Sequence, residues 1–185
     1  MNEDKIELIN KAINGNKNAL VELIKQEQNN IYTTIYYLKK TDDEVNDILQ
    51  NVLIKLSSKI YQLKNSKNFK TWLNQIILNS YYDYIRKQKR AVKIRFSDDI
   101  NQPEEIDYSS NPQDSILYNE LDMVIKKSIE NLPIHYKIPI TLREIQGLSY
   151  DDISNITNTS IGTVKSRIAR ARTIIQDKVK KYTNG

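Results

Sequence analysis

Residues 149–173 read SYDDISNITNTSIGTVKSRIARART, and the order of caps, apolar steps and cations in this stretch decides the fold. Ser149, with Asp152 three residues on, reads as a capping box opening a short helix that buries Ile153 and Ile156. Asn158-Thr159-Ser160 makes a tight turn, and Ser160 caps a second helix that buries Ile161, Val164, Ile168 and Ala171. Two such helices across a turn of this length make a helix-turn-helix. The outer face of the second helix carries Thr163, Lys165, Ser166, Arg167, Arg170 and Arg172. Small and hydroxyl side chains near its start permit close approach to a groove, and the cations further along reach bases and phosphates. A plain helical hairpin would account for the apolar spacing, but not for this gathering of arginine.

Working outward, the helical period holds nearly everywhere. Ile6, Ile9 and Ile13 precede a break at Asn14-Gly15-Asn16, after which Ala19, Leu20, Leu23, Ile24, Ile31, Ile35 and Leu38 resume the pattern. Past a cap at Thr41-Asp42-Asp43 runs the strongest stripe: Val45, Ile48, Leu49, Val52, Leu53, Leu56 and Ile60. Its steps of three and four predict a long amphipathic helix. Residues 62–68 (QLKNSKN) read as a polar loop, and a further helix from Phe69 to about Lys89 buries Leu73, Ile76, Ile77, Ser80 and Tyr84. Helical periodicity returns at Ile116 and continues to about Val179, interrupted at Pro133, Gly147 and Asn158. No strand alternation of useful length occurs, so the chain reads as all-α.

Charge divides it in three. Residues 1–90 hold fifteen cations against ten acids, residues 91–120 two against seven, and residues 121–185 eleven against six. Between Phe96 and Asp114 lie six acids and two prolines but no Lys or Arg, a composition suited to an extended linker. Two basic modules on an acidic tether are candidates for nucleic-acid binding. Ile, Asn, Lys and Tyr, all with A/T-rich codons, make up much of the chain, so their abundance says little about function. The seven arginines say more. Six stand in two clusters, Arg86, Arg90 and Arg95, then Arg167, Arg170 and Arg172. Arginine offers a planar fork for phosphate or guanine, although a solvated helix face would also hold such clusters.

Composition also excludes. The chain has 185 residues, 39% of them hydrophobic and 28% charged, in the range of a folded domain or two. There is no cysteine, hence no disulfide and no thiolate metal site. No apolar run is long enough to span a membrane or to act as a signal peptide, which fits a cytoplasmic protein. The single His135 has no metal-ligand partner near it in sequence, and neither a Ser/His/Asp set nor a Gly-rich phosphate loop is present, so catalytic residues, metal and cofactor are all expected to be absent.

The face of the Phe69–Lys89 helix opposite its apolar stripe carries Trp72, Gln75, Asn79, Tyr82, Asp83 and Arg86. Arg86, Lys87, Lys89, Arg90, Lys93 and Arg95 then follow without an acid. An aromatic and amides beside a cationic run suit single-stranded nucleic acid, whose bases stack and whose phosphates need cations. Trp72 and Phe69 are equally suited to a core, and Asn79, Asp83 and Arg86 to a structural polar network.

The segment from Leu132, LPIHYKIPITLREIQGLSYDDISNITNTSIGTVKSRIARAR, closely resembles region 4 of the extracytoplasmic-function (ECF) sigma factors of the sigma-70 family. DDEVNDILQNVLIKL resembles their region 2.2: Asp47 and Gln50 match, while Asn51 stands where an acid is usual and Leu53 where an aromatic is usual. FKTWLNQIILNSYYDYIRKQKR resembles regions 2.3 and 2.4, with Phe69, Thr71, Trp72, Leu73, Ile76, Asn79, Asp83 and Arg86 matching. The resemblance implies a dissociable initiation subunit of bacterial RNA polymerase and not an enzyme. It implies region 2 over residues 1–92, an acidic linker over 93–118 and region 4 over 119–183. It implies docking of Asp47, Gln50 and Asn51 on the polymerase clamp, and seating of the last domain on the flap. The −10 element would be opened and read through Asn65, Lys67, Trp72, Gln75, Asn79, Tyr82, Arg86, Lys87 and Arg90. The −35 element would be read by the outer face of the helix-turn-helix, and an anti-sigma protein is an implied partner. Two alternatives stand beside it: a helix-turn-helix regulator that acts without polymerase, and a sigma-like adaptor that binds polymerase or an anti-sigma protein but not promoters.

Overall fold

The computed structural model describes residues 3–39, 41–98 and 120–183, with backbone alone at residue 42 and over 91–98. The first group of helices is α1 (Glu3–Ile13), α2 (Lys17–Leu38), α3 (Asp42–Lys59) and α4 (Phe69–Asp98); the second is α5 (Glu120–Glu130), α6 (Ile134–Ile140), α7 (Tyr150–Thr157) and α8 (Ile161–Thr183). No strand occurs among the described residues. The acidic stretch from Asp99 to Asp114 and the apolar restart at Ile116 lie outside the described residues.

Local chemistry sets the boundaries. Asn14-Gly15-Asn16 breaks the helix because Gly15 turns the chain at φ +87°, and Asn16 then caps α2 by accepting a hydrogen bond from the Ala19 amide. Thr41 caps α3 through the Glu44 amide. The stripe along α3 is buried at Val45, Ile48, Leu49, Val52, Leu56 and Ile60, while Leu53 is half-buried. It packs between α2 and α4 against Leu23, Ile31, Ile35, Leu73 and Ile77.

Three expectations change in detail. The polar 62–68 segment is not simple loop: 3₁₀ turns at Ile60–Gln62 and Ser66–Asn68 bracket it, and Leu63 and Ser66 are buried. Helix α4 continues to Asp98, into the stretch expected to be linker, because no glycine or proline interrupts it there. Ile161 is 38% exposed rather than core: it opens α8, where side chains lean back past the end of the packed segment.

In the second group α8 is the long element against which α5, α6 and α7 pack. Val164, Ile168 and Ala171 of α8 are fully buried with Ile153 and Ile156 of α7. Pro139 stands inside α6, where it lacks the donor for an ordinary helical bond; the helix continues as a π turn, Thr141–Ile145, before Gly147. The buried side chains of the two groups form one continuous cluster.

Candidate nucleic-acid and polymerase interfaces

The helix-turn-helix is built as its caps foretell. The Ser149 hydroxyl oxygen accepts from the Asp152 amide at 3.0 Å and the hydroxyl donates to Asp152 Oδ2 at 2.5 Å. Asn158 closes α7 in the left-handed conformation, φ 51° and ψ 47°, which its short polar side chain tolerates. Ser160 Oγ accepts from the Thr163 amide at 3.2 Å and starts α8.

Along α8, Lys165, Ser166 and Arg170 are exposed, and Thr163 and Arg167 are half-buried. Lys165 Nζ stands 5.6 Å from the centroid of the Tyr150 ring, over which the Arg143 guanidinium also lies, at 4.6 Å. Arg143 is anchored by donating to the Leu148 carbonyl at 2.7 Å. Tyr150 therefore links the π turn to α8, a contact its sequence position did not suggest. Arg172 is exposed but committed: its Nε and Nη2 donate to Glu144 Oε1 at 3.1 and 2.6 Å.

On α4 the foreseen row Gln75, Asn79, Tyr82, Arg86, Lys87 and Arg90 is exposed, while Trp72 is half-buried against Phe69, ring centroids 6.1 Å apart. Phe69 is core at 1% exposure. The polar network around Asp83 is real but has other members than Asn79. Lys55 of α3 donates to Asp83 Oδ2 at 2.9 Å and to Ser80 Oγ at 3.1 Å, and Arg86 donates to Asp83 Oδ1. The hydrogen bond from Lys55, with that from Arg86, holds the Asp83 carboxyl below the usual carboxylate range. Lys55 was missed in the sequence because it reads as an ordinary break in an apolar stripe.

These residues line a cleft of about 400 Å³ between α3 and α4, with Asn51, Tyr84, Lys87 and Arg90 on its walls. Lys93 and Arg95 continue α4 where only backbone is described. In the 62–68 segment Asn65 accepts from the Lys67 amide at 2.9 Å, so its side chain shapes the turn, and Lys67 is exposed. Asp47, Gln50, Asn51 and Ile54 form one exposed face of α3, Asn51 donating back to the Asp47 carbonyl at 2.7 Å. Ile54 is 64% exposed, a large apolar side chain beside amides and a carboxylate, which suits a protein partner better than a phosphate. Among the described residues no group of His, Asp or Glu is placed to hold a metal, and no helix is long and apolar enough to cross a membrane.

Comparison with known proteins agrees over nearly the full length. Residues 23–91 match the family model described as sigma-70 region 2, and residues 122–175 match sigma-70, region 4. The ECF RNA polymerase sigma-E factor of Haemophilus influenzae is 32% identical over 181 residues, covering 93% of each chain. That of Escherichia coli is 31% identical over 180 residues, covering 93% of this chain and 92% of its own. Among solved structures, the sigma factor RpoE of Bartonella quintana in complex with the anti-sigma factor NepR aligns with a TM-score of 0.68 at 26% identity, over 86% of this chain and 95% of that one. CnrH in complex with the cytosolic domain of CnrY has the same fold, with a TM-score of 0.68 at 18% identity over 97% and 99% of the two chains. With both regions matched in order, and relatives above 30% identity along almost its entire length, the chain belongs to the ECF subfamily of the sigma-70 factors, which are transcription initiation factors.

Proposed function

We propose that this sigma factor docks on the clamp of core RNA polymerase through the α3 face of Asp47, Gln50 and Asn51, with Ile54 adding apolar contact. Region 2 then reads the −10 element as single strand. Trp72 and Tyr82 supply stacking surface, Gln75 and Asn79 hydrogen bonds to base edges, and Arg86, Lys87 and Arg90 phosphate contacts, with Lys67 approaching from the 62–68 segment. Region 4 sits on the flap and lays α8 in the major groove at −35, where Lys165, Ser166 and Arg170 face outward and Thr163 and Arg167 flank them. Polymerase performs the chemistry, and the protein works where polymerase works, in the cytoplasm. Residues 1–92 and 119–183 serve as the two reading modules, the residues between them as tether, and an anti-sigma protein is the expected antagonist.

The observation that carries this reading is the exposed row on α4. Amides, an aromatic and three cations recur at helical spacing on the face opposite the buried stripe, with the floor between them ordered by Lys55 and Asp83. Run-off transcription with purified core polymerase on a randomised promoter library tests it. Selected promoters should share two elements, one for each module. Binding of the chain alone to a duplex site would favour a stand-alone regulator, and polymerase binding without promoter selection would favour an adaptor.

A further inference from the structure

The face of α4 assigned to the −10 strand carries one acid among its cations. Asp83 lines the same cleft as Arg86, Lys87 and Arg90, and its side chain is half-exposed. A bare carboxylate there would set its charge against any phosphate that those cations attract.

The neighbouring helix answers that charge. Lys55 reaches across from α3 and donates to Asp83 Oδ2 at 2.9 Å, while a second bond, to Ser80 Oγ at 3.1 Å, fixes where the ammonium sits. Ser80 is buried, and Lys55 is less exposed than either Asp83 or Arg86, so the ammonium lies at the floor of the cleft. Arg86 takes the other carboxylate oxygen, Oδ1, and is held on the cleft wall by it. Its guanidinium has further N–H groups in one plane, a fork matched to a phosphodiester. With Asp83 offset by Lys55, the cleft of about 400 Å³ presents three more cations and no other acid among its lining residues.

Both ion pairs of Asp83 are open to solvent, and pairs this exposed add little to stability. Their effect is therefore felt in the charge of the cleft and the aim of Arg86 more than in folding. Removing Lys55 would leave Asp83 Oδ2 without its ammonium and return a negative charge to the floor.

We propose that Lys55 is a positioning residue for binding of the −10 strand: it offsets the charge of Asp83 and, with Ser80, holds the carboxylate that orients Arg86, so that a strand phosphate enters the cleft beside Arg86, Lys87 and Arg90. Lys55 acts through Asp83 and does not itself touch the strand. This rests on the assignment of the α4 face to the −10 element.

The test uses holoenzyme made from the full-length chain and core polymerase, with a fluorescent single-stranded oligonucleotide carrying the −10 element of a selected promoter. Lys55→Met keeps the apolar stem and removes the charge. It should retain helical circular dichroism and affinity for core polymerase, yet bind the oligonucleotide about fivefold or more weakly. Lys55→Arg, which restores the charge, should bind it within about twofold of wild type. Adding Asp83→Asn to Lys55→Met should recover most of the lost affinity, because the unpaired carboxylate has gone. Wild-type oligonucleotide affinity in Lys55→Met overturns the proposal. A double variant that binds no tighter than Lys55→Met also overturns it, and makes Lys55 itself a strand contact. Equal losses of core and strand affinity overturn it too, by placing Lys55 in polymerase docking. If Lys55→Met does not fold, Lys55→Gln, which keeps a donor for Asp83 without the charge, carries the same expectations and the same contradictions. Wild-type holoenzyme that fails to bind the oligonucleotide defeats the assignment of the α4 face instead, and the role of Lys55 falls with it.

Discussion

Arg170 and Arg172 stand two residues apart on α8 in different surroundings, Arg170 exposed and Arg172 paired. Arg172 is spent on Glu144, a pair half-exposed on both sides, so its loss should cost no more than about 1 kcal/mol of stability. Glu144→Gln should reproduce that loss, with little change at the promoter. Arg170→Ala should instead flatten the salt dependence of promoter binding, because a phosphate contact acts through counterion release. Lys165→Ala should relax base preference at one −35 position by about 1–3 kcal/mol of discrimination. Urea titration of the three variants and salt-dependent promoter binding separate these outcomes. Asp83 gives the pH counterpart. Its carboxyl titrates lower in the folded protein, so its contribution is complete above the unfolded value of about 3.9 and is lost as pH falls through the folded value. Asp83→Asn should make the acid limb of a melting-temperature profile between pH 2 and 5 shallower, while stability at pH 7 falls by about 1 kcal/mol or less, since the pair is half-exposed.

At the scale of elements, the turn between α7 and α8 is the point where one backbone angle holds a whole motif. Asn158→Gly should leave stability close to wild type, whereas Asn158→Val should cost about 1–2 kcal/mol for forcing a β-branched residue into the left-handed region. Equilibrium unfolding reads both. Asp47→Lys should fold normally, because Asp47 is exposed, and bind core polymerase more weakly; an unfolded variant would assign Asp47 to the fold. This is also the scale at which the sequence was most legible. Capping at Thr41, Ser149 and Ser160 and the apolar steps of α3 and α8 are local chemistry, written within four residues of where they act. The π turn after Pro139 was not legible, since a proline in a helical pattern predicts an interruption without saying how the chain absorbs it. Ile161 misled because its spacing is that of a core residue and only its place at a helix end exposes it. Lys55 and Tyr150 were hidden for a related reason: their partners, Asp83 and Lys165, lie far along the chain.

Contacts between the two groups of helices belong to the whole molecule, and no periodicity announces them. Thr71 and Asp152 are 81 residues apart, and Gln146 and Thr34 are 112 apart. Under the proposed function, the 21 residues from Asp99 to Asn119 span at most roughly 70 Å at 3.3 Å each, enough for two elements about 17 base pairs, or roughly 60 Å, apart. Removing ten of them leaves roughly 36 Å by the same limit, so the deletion should abolish joint recognition while either element alone is still bound. Footprints of the shortened protein in holoenzyme on one-element and two-element promoters check this.

The most direct test of the central claim is DNA footprinting at a selected promoter with the chain alone, core polymerase alone and both together. We predict protection of two elements about 17 base pairs apart, with strand opening at the downstream one, only when both are present. Protection by the chain alone, or a complex with polymerase that protects neither element, would contradict it.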